Sequence, residues 1–237
     1  MTHRFRCLTY NVRRYVGLDR RRAPERIADV IASANADLVV LQEAVEEDAI
    51  SQIAEHLKMH ALFAVSRHDH RGRFGNVLLC KVPMTKIRHR PLPTLARAEA
   101  RFAMWARLDW QGRNVDVIAT HLGLSREERN LQTSTLCGDI WLNHAEFGRY
   151  GVLLGDFNAA PAESSFKRLD DVLPDAQRQL GLKRRLRTWP APLPMVSIDH
   201  VFTSAKVLHA SVVASRRARV ASDHLPFFAD LDLEEPR

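Results

Sequence analysis

The stretch Val152-Leu153-Leu154-Gly155-Asp156-Phe157-Asn158 is an apolar run that stops on a carboxylate and, two residues later, an amide. A short aliphatic run ended by glycine reads as a strand buried on both faces, because a half-solvated strand alternates apolar and polar residues. Outward from it the same punctuation recurs. Thr9-Tyr10-Asn11 ends an apolar run over 5–12, and Gln42-Glu43 follows Leu38-Val39-Val40-Leu41. Thr120-His121 ends a run over 114–121. Ile198-Asp199-His200 leads a run over 197–203, and Ser222-Asp223-His224-Leu225-Pro226 precedes one over 226–232. A lone Asp after a strand is usually a turn residue bonding its own backbone. Six such ends of compatible chemistry point instead to one shared site, since sites in α/β folds form beyond the strand ends.

The intervening chain supplies more strands and a few helices. Strands are expected near 61–66, 76–81, 85–90, 103–110 and 207–214. Residues 24–35 and 46–57 carry apolar side chains at helical spacing, with proline at the start of the first. Ser125 with Glu128 three residues on forms a capping box for a helix expected to reach about residue 145, and a further helix begins at 166–169. The proline-containing segment 188–194 reads as a loop within one domain spanning 1–237. Strands outnumber helices and several are apolar on both faces. The economical architecture is α/β: a four-layer α/β/β/α sandwich of two packed mixed sheets with outer helices.

Composition narrows the function classes. The formal charge of +7 favours anionic partners such as nucleic acid, phospholipid headgroups or phosphorylated metabolites. No apolar run approaches the ~20 residues needed to span a bilayer. The start, Met-Thr-His-Arg-Phe-Arg-Cys, lacks the apolar core of a secretory signal, so a cytoplasmic protein is expected. Cys7, Cys80 and Cys137 have no disulfide or zinc spacing and read as reduced thiols. No obligate protein partner is indicated.

Carboxylate and amide oxygens at the strand ends suit a hard cation, Mg²⁺ or Mn²⁺, better than zinc. The histidines add a base and hydrogen-bond donors. The ordered set Thr-Tyr-Asn11, Leu-Gln-Glu43, Thr-His121-Leu, Gly-Asp156-Phe-Asn158, Ile-Asp199-His200 and Ser-Asp223-His224 resembles the endonuclease/exonuclease/phosphatase superfamily, the DNase I-like fold, over about residues 4–232. Residues 120–132 are similar to small bacterial members. The resemblance implies a Mg²⁺- or Mn²⁺-dependent phosphoesterase. It makes Glu43 the main metal ligand, with Asn11 and Asp223 beside it. Asp156 and Asn158 flank the attacking water and the phosphate, and His121 donates to a non-bridging oxygen. Asp199 and His224 form an acid–imidazole pair in which His224 is the base, with Asp156 the alternative. Read as a base rather than a core group, His224 should be replaceable with little loss of folding. Histidine at 121 and 200 departs from the abasic-site endonuclease branch, which carries tyrosines there.

Arginine-rich segments at 13–22, 178–187 and 216–219 read equally well as an anion-binding rim or a solvated face. Arg13 and Arg14 are the first candidates for phosphate contact. Asn76, in Gly72-Arg-Phe-Gly-Asn76, could reach substrate, and the glycines also suit a tight hairpin. Trp189 could stack on a base or cover a lipid headgroup, although a packed loop aromatic is the commoner use. The substrate expected is a phosphate ester, with nucleic acid slightly favoured over phospholipid and other small phosphoesters. The reading from another class is a catalytically silent anion-binding module. The full set of acids and imidazoles speaks against it.

Overall fold

The protein is described by a computed structural model covering residues 4–45, 47–69 and 72–234. Among the described residues eleven strands form two sheets. The first contains β1 (Arg4–Asn11), β2 (Leu38–Val45), β3 (His60–Asp69), β4 (Gly72–Cys80), β10 (Lys206–Val212) and β11 (Phe227–Asp232), in the order β10-β11-β1-β2-β4-β3. The second contains β5 (Met84–Pro91), β6 (Phe102–Asp109), β7 (Asn114–His121), β8 (Tyr150–Asp156) and β9 (Asp199–Thr203), in chain order. Both sheets are mixed: β1 is parallel to β2, β7 is parallel to β8, and the other neighbours are antiparallel.

Period-two alternation distributes the strand side chains between two cores. From β1, Phe5 and Cys7 enter the layer between the sheets, where they meet Met104, Val117, Leu154 and Phe227. Leu8 and Tyr10 face outward onto α1 (Pro24–Ala34) and α2 (Glu47–Leu57) through Ile27, Ile31, Ile50 and Ile53. On the other side Trp105, Ile118 and Phe202 pack against Leu136, Trp141 and Phe166 around α3 (Arg126–Leu136) and α4 (Ser164–Val172). This is the expected four-layer sandwich, and it explains the continuous apolar runs: the strands are buried on both faces.

Several boundaries differ from the sequence reading. The helix expected to reach residue 145 ends at Leu136, where Gly138 N–H bonds Thr135 O and Leu142 N–H returns to Leu136 O. The apolar spacing continues past this point because Trp141 and Leu142 stay buried in the turns that follow. The cap is half the expected box. Glu128 N–H donates to Ser125 Oγ at 3.1 Å, and the Ser125 hydroxyl donates to Glu128 Oε2 at 3.3 Å. Strand β9 begins at Asp199 rather than 197, and β10 ends at Val212 rather than 214. Two single-turn helices, α5 (Ala176–Gln179) and α6 (Ala218–Ala221), lay unread where they overlap the edges of the arginine-rich segments. The expected helix start at 46, and His70, lie outside the described residues.

Candidate active site

The parallel pairs align the strand ends. Asn11 is register partner to Gln42, and His121 to Asp156, which in turn partners Asp199. Gly155 makes this alignment possible. A Cβ there would stand 2.0 Å from Thr120 O, so only glycine lets β8 pair this closely with β7. Asp223 and His224 enter at the same end, immediately before β11, with the Ser222 hydroxyl donating to Asn11 O at 2.7 Å.

Local backbone irregularities aim two of the groups. The register of β2 shifts between Leu41 and Ala44, and Glu43 within that bulge has φ +55°. A bulge re-aims a side chain that regular pleating would carry elsewhere, and the left-handed backbone of a non-glycine residue costs about 1–3 kcal/mol. Asn158 also has positive φ, +49°, a conformation asparagine tolerates better than most residues.

These elements surround a cleft of about 470 Å³ lined by Asn11, Glu43, His121, Asp156, Asn158, Asp223 and His224, together with Glu99, Arg101, Leu124, Trp189, Val196 and Ile198. Asn11 Nδ2 donates to Glu43 Oε1 at 3.2 Å and to Asp156 Oδ2 at 3.0 Å, tying the two carboxylates across the sheet interface. Asn158 N–H donates to Asp156 Oδ1 at 3.0 Å. His224 Nδ1 lies 2.9 Å from Asp199 Oδ2, and its Nε2 lies 3.7 Å from Asp156 Oδ2. Asp156, Asp199 and His224 are thus close enough to share an ion.

The buried charges perturb one another. Burial, with Asp199 nearby, raises the Asp156 carboxyl to about 6 against the pull of His224, Asn11 and Asn158. Burial alone would lower His224, but Asp199 and Asp156 overcome it and raise the imidazole to about 10. His121 goes the other way: burial, then Arg101 and His224, hold it well below its ordinary value. It is neutral near pH 7, so its 3.5 Å approach to Asp156 is not an ion pair.

The structure brings together Asn11, Glu43, His121, Asp156, Asn158, Asp199, Asp223 and His224, and Trp189 lines the cleft as an exposed loop aromatic. The remaining candidates lie outside it. Arg13 is on the rim, its Nε 3.8 Å from Asp223 Oδ2. Arg14 places its guanidinium over Phe74, 5.5 Å from the ring centre. Asn76 is buried in a small adjoining recess shared with Arg101 and His121. His200 is wholly buried among Phe157, Phe166 and Phe202, its Nε2 2.9 Å from Ala159 O, so it braces the turn after Asn158. His224 is itself buried and pairs with the buried Asp199, so it is a core group, contrary to the premise on which its replacement was expected to spare the fold. Arg101 and Glu99 were missed. They precede the apolar run of β6, which is antiparallel to β7, so the start of β6 lies beside His121. No polar punctuation was read at either end of that run.

Acids, amides and imidazoles thus meet around one cleft at one end of a two-sheet sandwich, and the family model that the chain matches makes this a phosphoester hydrolase. The chain belongs to the Endonuclease/Exonuclease/phosphatase family, whose model matches residues 8–224. It is 25% identical to YbhP of Escherichia coli (strain K12), an uncharacterized protein, over 97% of this chain and 96% of that one. Among solved structures it is similar to the mannosyl-6-phosphatase Bt3783 of Bacteroides thetaiotaomicron VPI-5482, with a TM-score of 0.77 and 18% identity, covering 95% of this chain and 98% of that one. It is also similar to TDP2 of D. rerio complexed with a single-strand DNA product, with a TM-score of 0.73 and 18% identity over 97% and 99% of the two chains.

Proposed function

We propose that the chain is a Mg²⁺-dependent phosphodiesterase, able to use Mn²⁺, that hydrolyses its ester by attack of water. The observation that carries this reading is the charge pattern across the cleft. His224 is held between Asp199 and Asp156, while Asn11 ties Asp156 to Glu43. The donor set fits a hard divalent cation: among the described residues Glu43 forms no ion pair, and the cleft it lines also holds the carboxylates of Asp156 and Asp223. Glu43, with Asn11 and Asp223, would hold the ion. When bound, it neutralises phosphate charge and stabilises charge developing on the leaving oxygen.

The chain's own residues do the rest. Asp199 accepts from His224 Nδ1–H and so fixes the tautomer, leaving Nε2 to face the cleft and take a proton from water. His224 can do so only once another partner takes up the negative charge of Asp156. Asp156, raised to about 6, is the alternative proton acceptor. His121 and Asn158 offer N–H groups to a non-bridging phosphate oxygen.

Nucleic acid is the favoured substrate class, supported by the +7 charge and by the DNA product bound to the similar TDP2. Phospholipid is the second reading, supported by apolar side chains on the cleft lip, where Leu124 is 73% exposed and Trp189 is exposed as well. The test is hydrolysis of bis-p-nitrophenyl phosphate with Mg²⁺ or Mn²⁺, with and without EDTA. A panel of plasmid DNA, single-stranded DNA, RNA, phosphatidyl lipids and phosphomonoesters follows under one metal condition. Activity lost in EDTA and restored by metal is expected. Activity that survives EDTA defeats the metal reading, and inactivity on every ester favours a silent anion-binding module.

A further inference from the structure

We propose that Arg101 is a positioning residue that keeps the proton of His121 on Nε2, the nitrogen facing the cleft. The purpose of this arrangement rests on the phosphoester reading above; the geometry does not. Arg101 is only 5% exposed, and its Nη1 lies 3.1 Å from His121 Nδ1. A guanidinium has five N–H donors and no acceptor. Nδ1 must therefore accept and carry no proton, and a neutral ring then bears its hydrogen on Nε2.

The cleft side sets one competing donor and one acceptor against Nε2. Nε2 lies 3.2 Å from Asn158 Nδ2 and 3.5 Å from Asp156 Oδ2. The amide nitrogen of Asn158 carries two hydrogens: one donates to Leu122 O at 3.0 Å, and the other faces Nε2 as a competing donor that the buried Arg101 contact must outweigh. The Nε2–H is left with one long contact, a donor held ready for an anionic oxygen. Arg101 is itself anchored. Its Nη2 lies 3.1 Å from Glu99 Oε2, and Glu99 pairs in turn with Arg67 of β3.

The second imidazole of the cleft is set the opposite way. His224 turns Nδ1 to the carboxylate of Asp199, so when neutral it keeps its proton there and offers a bare Nε2. A cation behind one ring and an anion behind the other fix opposite tautomers, so that one histidine donates to the cleft and its neighbour, once neutral, accepts from it.

The test is two-bond ¹H–¹⁵N NMR of the full chain with ¹⁵N-labelled histidine, at one neutral pH and without metal or substrate. Loss of signals in His121→Asn assigns the ring. In the wild type, His121 Nδ1 should resonate as the unprotonated nitrogen and Nε2 as the protonated one. Arg101→Met should shift both toward a tautomer average and lower kcat about a hundredfold, with KM changed less, while the His224 signals stay in place. Arg101→Lys should preserve the tautomer. A protonated Nδ1 in the wild type overturns the proposal whether or not any variant folds, as does an unchanged tautomer in Arg101→Met. A wild type that shows the expected tautomer but hydrolyses no ester would instead sink the functional reading.

Discussion

At the residue scale, His224 couples stability to chemistry. Its pKa rises from an ordinary 6.5 to about 10 on folding. The pairing therefore stabilises the fold fully below about pH 6.5, and the contribution disappears as pH rises through 10. His224→Gln leaves Asp199 buried without its partner, a change that costs about 3–5 kcal/mol in comparable buried pairs. The gap in melting temperature between wild type and variant should be widest near pH 6.5 and narrow toward pH 10. A gap that widened with pH would contradict the assigned charge state. The same variant should lose about 10²–10⁴ in rate; a mild loss would move the base to Asp156. Glu43→Gln removes a carboxylate that forms no ion pair among the described residues. It should weaken Mg²⁺ binding in a calorimetric titration and leave the fold intact. An unchanged titration would place the ion elsewhere.

At the level of elements, the strand ends were legible because an apolar run that breaks on an acid, amide or imidazole shows both the strand and where it stops. What lay beyond reading was geometry that changes no residue type. The bulge that turns Glu43 into the cleft leaves its run as apolar as before. The end of α3 was hidden because Trp141 and Leu142 are buried outside any helix. Arg101 was hidden because the antiparallel course of β6, and hence which of its ends meets the cleft, is a tertiary fact. Gly155 shows how closely these strands must approach. Gly155→Ala places a methyl against Thr120 O and should cost about 1–3 kcal/mol in urea unfolding. It should also lower activity by shifting His121 relative to Asp156. Full stability in that variant would mean that β7 and β8 can separate freely.

Across the whole molecule, the positive balance sets how a polyanion would be met. Release of counterions makes such binding salt-dependent. On an oligonucleotide, kcat/KM should fall roughly tenfold to a hundredfold between about 50 and about 200 mM salt if two or three phosphates are engaged. Hydrolysis of bis-p-nitrophenyl phosphate should change little over the same range. A flat response on both would remove nucleic acid as the favoured substrate. Among the described residues no helix is long and apolar enough to cross a membrane.

The 3.0 Å link from Asn11 to Asp156 joins one sheet to the other, and the 2.9 Å link from His224 to Asp199 joins the segment entering β11 of the first sheet to β9 of the second. Neither half of the sandwich owns a working set of groups. Any slippage of the two halves disassembles the chemistry before a single strand melts, so under mild denaturant turnover should fade while the circular dichroism of the strands still looks native.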